Sequence, residues 1–324
     1  MCSKCEVIPL CSTSDIIRSV TKMKNLLLDS LPYTRDIPRS TLFSNIIKNL
    51  AKDTERCLPT ALSLINADGE VVGIILLQES EWDSKHFGLR VSKVRLMLFN
   101  RDVNISLRRL LIRHAIDVAK PKLIIARIPL HDIQTIHALE LEGGLLTDIL
   151  LTFHRKLSVV SISQAFPRRI KNIEVTETDG FHGKQIAEIS REVFTMNHFF
   201  FDPYLPKEKC LELYSRWALN CLREASNINL IAKLNGKVIG FISCRVNNVG
   251  LGYSYGIIDL IGVKKEYQGM GVGSLLLHEA LKRISRYTPI VYVGTQASNI
   301  PAVRMYERFG FKLVFTEATL HIWH

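Results

Sequence analysis

Two stretches of the chain repeat one pattern of apolar and polar positions. Residues 62–77, LSLINADGEVVGIILL, and residues 229–244, NLIAKLNGKVIGFISC, each read as an apolar β-rich run, a polar turn and a second apolar run. Asp68-Gly69 and Asn235-Gly236 sit at the turns. Both dipeptides tolerate positive φ and suit a two-residue hairpin. Gly69 and Gly236 are 167 residues apart, and the same offset lays HDIQTIHALELEGG (131–144) over SNIPAVRMYERFGF (298–311). One offset held over so long a stretch indicates two copies of one unit.

Each copy predicts the same series of elements. A third strand follows the hairpin, at 91–98 and at 255–263, then an amphipathic helix near 105–119 and near 272–286. A continuous apolar run, 122–129 and 289–296, reads as a buried strand. A shorter helix follows near 132–142 and 299–309, and a last strand pair, within 145–157 and 311–324, closes each half. Two further helices precede the second hairpin, near 184–195 and 207–223, with Pro206 at about the first turn of the latter. Residues 13–57 supply the matching helices of the first half, interrupted by Pro32 and Pro38. The segment 158–171, with Pro167 and Arg168-Arg169, reads as a linker, giving domains 1–165 and 166–324. The expected class is α/β, an α+β mixed sheet in two tandem units.

Composition narrows the setting. Of 324 residues, 47% are hydrophobic and 23% charged, ordinary for a folded soluble protein. No apolar run has the length of a membrane span, and the N-terminus has no signal-peptide core, so a cytoplasmic protein is expected. Seven cysteines at irregular spacing fit reduced thiols. Cys2, Cys5 and Cys11 lack a fourth ligand, and no metal is expected. The net charge of +11 suits anionic, phosphate-rich ligands. The cations are scattered, without runs or aromatic interleaving, so neither nucleic acid nor membrane is expected as a partner.

The strongest local signal is VKKEYQGMGVGSLLLHEAL (263–281). A strand ends at Val263, and a loop containing Gln268, Gly269, Met270, Gly271, Val272 and Gly273 leads into a helix at Ser274. Glycines let backbone approach a ligand, and amides at a helix start favour an anion by roughly 0.3–2 kcal/mol. A pyrophosphate fits such a cradle. The spacing is neither that of a P-loop nor that of a dinucleotide fingerprint.

This loop resembles the Q/R-x-x-G-x-G/A segment of the GNAT acetyltransferases. ASNIPAVRMYERFGFKLV (297–314) is similar to that family's N-x-x-A-x-x-x-Y-x-x-x-G-F segment. The resemblance implies acetyl-coenzyme A as acyl donor, with the loop amides on its pyrophosphate. The main chain of Ile261, Gly262 and Val263 would run along the pantetheine arm of that donor, with Asn299 contacting it. Tyr306 would protonate the departing thiolate. EWDSKHFG (81–88) and NHFFFDPYLPKEKCLELYSRWALNCL (197–222) are similar to segments of the TDP-fucosamine acetyltransferase family, which acetylates the amine of nucleotide-linked 4-amino-4,6-dideoxy sugars.

Acetyl transfer to an amine needs positioning, an oxyanion donor, a base and an acid. A backbone N–H near Ile261 to Val263 is the expected donor, and direct attack in a ternary complex needs no Ser or Cys nucleophile. By period two Asp259 shares a strand face with Ile261 and Val263 and is a candidate base. His182, His198 and Asp202 are others. Phe199, Phe200, Phe201 and Tyr204 could stack on a base or hexose, so His198, Phe200, Asp202 and Tyr204 are the expected substrate contacts. In the first half Leu139 stands where Tyr306 does, and NRDVNISLRR (100–109) has no glycine. That half is read as a degenerate copy without a coenzyme A site. The expected activity is N-acetylation of a small-molecule amine, foremost a nucleotide amino sugar. The alternatives are a protein N-terminus or small amine as acceptor, and a non-catalytic acyl-coenzyme A-binding module. A homodimer is left open.

Overall fold

The computed structural model describes residues 5–56, 59–158, 172–178, 181–224 and 228–324. The chain forms two compact units, Met1–Ile149 with Phe315–His324, and Leu150–Val314.

The first unit begins with β1 (Glu6–Pro9), α1 (Thr13–Lys22), α2 (Lys24–Asp29) and α3 (Arg39–Arg56). The hairpin β2 (Thr60–Ile65) and β3 (Val71–Glu79) follows, then α4 (Glu81–Phe87), β4 (Val91–Phe99), α5 (Ile105–Ala119), β5 (Leu123–Pro129) and α6 (Ile133–Glu140). Its strands lie in the order β1-β2-β3-β4-β5-β12, where β12 (Lys312–Trp323) ends the chain. Only β4 and β5 run parallel in this series. Alternation along β3 makes two cores. Ile75 and Leu77 pack with Leu111, Ile112 and Ala115 of α5, while Ile74 and Leu76 pack with Ile16 and Val20 of α1.

The second unit contains β7 (Ile173–Glu177), α7 (Gly183–Val193), α8 (His198–Phe201) and α9 (Lys207–Arg223), then β8 (Ile228–Leu234), β9 (Lys237–Gly250) and β10 (Tyr253–Val263). α10 (Val272–Ile284), β11 (Ile290–Gln296) and α11 (Ile300–Arg308) complete it. Its order is β7-β8-β9-β10-β11-β6, where β6 is Leu145–Lys156, and here β10 and β11 are the parallel pair. Leu276, Leu277, Ala280, Leu281 and Ile284 of α10 are buried against Leu230, Ile242, Ile258, Val291 and Phe153.

The elements fall where the periodicity predicts them, with four corrections. The expected closing strand pair is a single strand in each half, β6 and β12, and neither half closes on its own. β6 pairs with β11 from Leu150↔Gln296 to Lys156↔Ile290, and β12 pairs with β5 from Glu317↔Pro129 to Trp323↔Leu123. The boundary at 165/166 is therefore not the boundary of the compact units. Secondly, the two hairpins differ. Asn235 and Gly236 have φ of 50° and 80° and join Leu234 to Lys237 as a two-residue type I′ turn. In the first half Asn66 N donates to Glu70 O, and the Asn66 Oδ1 accepts from the Asp68 and Glu70 amides, so the loop is longer. Thirdly, edge strands β1 and β7 and helix α4 were not expected. Fourthly, the four-residue helix α8 was not expected. The linker 159–171 lies outside the described residues. Among the described residues no helix is long and apolar enough to cross a membrane.

The exchange of closing strands has a direct consequence. A fragment 166–324 loses the β6 segment that covers β11, along with Phe153 from the core, whereas 150–314 keeps both. The first fragment is expected to aggregate or to melt several degrees lower, as judged by scattering and thermal melts; equal behaviour would contradict the pairing.

Candidate active site

The site begins with two strands that part. β10 pairs with β9 as far as Val263↔Gly240, but with β11 only at Gly256, Ile257 and Ile258. Beyond Ile258, β11 continues against β6 through Gly294, Thr295 and Gln296. Among the described residues, one edge of β10 from Asp259 to Val263 is thus left without a strand partner, and its polar groups are open to a ligand. A β-bulge lies between Ile258 and Leu260 on the β9 side, with Asp259 as the extra residue. Bulges bend a strand and recur next to active sites. At Gly262 a Cβ would come within 2.9 Å of the Phe241 ring and 3.2 Å of Val193, so α7 packs tightly against the freed strand.

The glycine loop follows at once. Lys264 N donates to Ile239 O, and Lys265 N to the Glu192 carboxylate, which pins the loop start to α7. The Gln268 side chain donates to Val263 O at 2.9 Å, tying the loop to the strand end. Gly269 and Gly271 have φ of 77° and 88°, which only glycine adopts without strain. A Cβ at Gly269 would meet nothing within 4 Å, so the space beside it is open. Gly271 is the N-cap of α10 and supplies no side-chain cap. The first-turn amides of Val272, Gly273 and Ser274 precede the first intrahelical bond, Leu275 N to Gly271 O, and remain available as donors. These residues fit a pyrophosphate, and the adjacent free strand edge fits an extended amide-bearing arm.

Asp259 stands where the fork opens. Its side chain is only 3% exposed, and Oδ1 accepts from Arg245 at 2.8 Å, while the arginine side chain is 42% exposed. Oδ2 is buried and has no hydrogen-bond partner among the described residues. Burial pushes the carboxyl up to about 6; Arg245 opposes the shift and Glu224 adds to it. Desolvation thus outweighs the ion pair.

Tyr306 lies on α11 and is 2% exposed, with its ring 6.1 Å from Phe153 and 5.6 Å from Phe311. Burial pushes the phenol above its usual value, so it holds its proton throughout the neutral range. Asn299 is the N-cap of the same helix, its Oδ1 accepting from Ala302 N. The expected substrate segment starts at the C-terminus of α7, where Val193 touches Gly262. It is held from within. Asn197 caps α8, Lys207 donates to the carbonyls of Phe200 and Asp202, and Asp202 Oδ1 accepts from Tyr204 N. His198 and Asp202 are buried, and the His182 ring bonds the Thr178 hydroxyl. Phe200 is half-buried, while Phe201 and Tyr204 (65%) are exposed.

The first unit repeats the fork but not the cradle. β4 pairs with β5 only at Val91, Ser92 and Lys93. Beyond it, Asn104 caps α5 by accepting from Leu107 N, and the buried Arg108 donates to Val103 O, Asn100 O, Asp132 and Thr135. The loop thus turns its carbonyls onto an internal cation. Residue types alone carried no signal for this network, nor for Arg245, one of 42 basic residues.

A strand fork with a glycine cradle defines an acyl-coenzyme A N-acyltransferase fold. Residues 186–311, all within the second unit, match the Acetyltransferase (GNAT) family. The matched segment carries N-acetyltransferase chemistry, with acetyl-coenzyme A as the acyl donor. The whole chain is similar to a tandem GNAT protein from the clavulanic acid biosynthesis pathway, with a TM-score of 0.58 and 16% identity over 98% of both chains, and has that tandem fold. It is 26% identical to the spore coat polysaccharide biosynthesis protein SpsD of Bacillus subtilis (strain 168), over 78% of this chain and 84% of that one. It is also 27% identical to an N-alpha-acetyltransferase of Sulfurisphaera tokodaii, over 45% of this chain and 81% of that one.

Two outcomes follow from this geometry. Calorimetry is expected to find one coenzyme A per chain, and Gly271→Glu, which adds a side chain and a negative charge at a positive-φ position, to weaken it at least tenfold; two equivalent sites would contradict this. The second concerns pH. The folded value of Asp259, about 6, lies above its ordinary 3.8. Its contribution to stability is full below 3.8 and is lost as pH rises through about 6. Asp259→Asn is therefore expected to raise the melting temperature at pH 8 relative to the parent and to change it little at pH 4.

Proposed function

We propose that the enzyme acetylates the amino group of a nucleotide-linked amino sugar, of the 4-amino-4,6-dideoxy class, by direct attack in a ternary complex. The catalytic part is supported by one observation: the fork after Ile258 opens at a buried carboxylate whose Oδ2 has no partner among the described residues, on the strand that leads into the glycine loop. The sugar rests on the likeness to SpsD, whose name places it in polysaccharide biosynthesis and which matches over 78% of this chain. The exposed rings of Phe201 and Tyr204, set on a segment braced by Lys207, suit a hexose or base face. The N-alpha-acetyltransferase likeness supports a second reading, a peptide N-terminus, over a shorter share of the chain.

The amides of Gly269 to Ser274 hold the pyrophosphate, and the free edge at Ile261, Gly262 and Val263 aligns the pantetheine arm. Gln268 secures the loop to the strand, and Asn299 fixes the start of α11 beside the donor. When bound, acetyl-coenzyme A supplies an activated acyl group. Asp259 accepts a proton from the acceptor ammonium, freeing the amine to attack. A strand amide donates to the carbonyl oxygen as charge develops, an interaction typically worth ~2.7–4 kcal/mol. Tyr306 gives its proton to the departing thiolate. Tyr204 and Phe200 contact the acceptor, and His198 and Asp202 hold their segment.

A thiol-release assay with acetyl-coenzyme A against nucleotide amino sugars, peptides and polyamines tests the acceptor. Turnover of nucleotide 4-amino-4,6-dideoxy sugars above all others is expected; preference for peptides would overturn the reading. Tyr306→Phe keeps the ring packing and removes the proton. A fall in kcat of about 10²–10⁴-fold is expected, with little change in KM for acetyl-coenzyme A. A role in packing alone predicts a stability loss of roughly 0.5–1.5 kcal/mol and near-normal kcat.

A further inference from the structure

Asp259 carries two different oxygens. Oδ1 is held by the Arg245 guanidinium at 2.8 Å. Oδ2 is buried and lacks a donor among the described residues. A buried carboxylate oxygen without a donor is costly, and native folds keep few of them. The bulge places this residue at the first position beyond the last β10–β11 pair, where the strand edge opens.

We infer that Arg245 is the positioning residue of the acetyl-transfer site, fixing Oδ1 of Asp259 so that Oδ2 is left as the acceptor for the substrate ammonium. The inference rests on Asp259 being the base. The protons and electrons balance: one N–H bond of the ammonium breaks and an O–H bond forms on Oδ2; the freed nitrogen pair forms the C–N bond as the C–S bond of the thioester breaks and its electron pair leaves on sulfur; sulfur takes the Tyr306 proton, and the second N–H proton, shed by the new amide nitrogen, restores the Tyr306 phenol. Arg245 itself exchanges no proton.

The surroundings give Arg245 this task. Burial favours the protonated carboxyl, which is useless as a base. Glu224, following α9, pushes the same way, and the nearby Cys221 and Cys244 thiols are held above their usual range by burial and stay uncharged. Arg245 is the one group whose charge opposes these effects on Asp259. It stands on β9 opposite Ile257, one residue from the pair at which the fork opens. Its side chain reaches solvent while its partner does not. A pair in which both members were exposed would contribute little; here the cation keeps a buried carboxylate ionised.

The test uses the full chain in four forms: parent, Arg245→Met, Arg245→Lys and Asp259→Asn. The Asp259 carboxyl carbon is followed by NMR titration of protein with ¹³C-labelled aspartate, and Asp259→Asn identifies its resonance. Removing an opposite charge at this distance shifts a carboxyl by about 1–3 pH units, and the exposure of Arg245 puts the expected rise near one unit. Arg245→Met is expected to raise the midpoint by that amount, and Arg245→Lys to restore most of it. The acid limb of kcat/KM with a dTDP-linked 4-amino-4,6-dideoxyhexose should move in parallel. An unchanged midpoint in Arg245→Met overturns the inference, whichever acceptor the enzyme takes. A pH-independent loss of kcat with an unmoved limb overturns it as well and makes Arg245 a packing residue. If Asp259→Asn keeps parental kcat and its acid limb, Asp259 is not the base, and both readings fall together.

Discussion

A strand that leaves its neighbour must satisfy its backbone elsewhere, and the second unit is built around one that does. After Ile258, β10 has β9 on one side and, among the described residues, no strand on the other. The bulge at Asp259 turns the strand, and Gly262 lets α7 pack closely behind it through Val193 and Ile189. The loop that follows is anchored three times, by Ile239 O, by Glu192 and by the Gln268 bond to Val263 O. These bonds hold a row of amides ready without filling them, the preorganisation that binding an extended, phosphate-ended ligand requires.

The first unit has the same constraint and meets it differently. Its fork, after Lys93 and Ile125, is followed by an asparagine-capped helix and a loop folded onto Arg108. That guanidinium bonds Asp132 and Thr135 and lies over the Phe99 ring, so the buried charge is paired and its donors are used. A cradle of outward amides has become a knot of inward carbonyls. The unit keeps its core and strand order while presenting no glycine cradle for an anion, which makes it the degenerate partner of a catalytic copy.

Much of this was legible in the residues, for reasons that can be named. Asn235-Gly236 reads as a turn because both positions need positive φ. The Gln268–Gly273 loop reads as a cradle because so many glycines at a helix start have few other uses. The helices α5 and α10 follow from apolar spacing, and their long apolar faces made them easy to place. The exchange of β6 and β12 was not legible: both strands carry similar apolar patterns, and which neighbour each takes is decided by distant residues. β1 and β7 escaped because a four- or five-residue edge strand shows little alternation. Arg108 and Arg245 escaped for a different reason. A buried or half-buried arginine is distinguished only by what surrounds it, and Arg245 meets Asp259 across a strand pair. His198 and Asp202 are buried, which their residue types do not announce.

Burial pushes the Asp259 carboxyl up to about 6 and keeps the Tyr306 phenol protonated at neutral pH. That the second unit alone uses its fork for acetyl-coenzyme A is tested most directly by hydrogen–deuterium exchange with and without that molecule. Slowed exchange is expected in the amides of 259–274, with no change at 94–104 in the first unit. Equal protection of both forks, or none at 259–274 under saturating acetyl-coenzyme A, would contradict it.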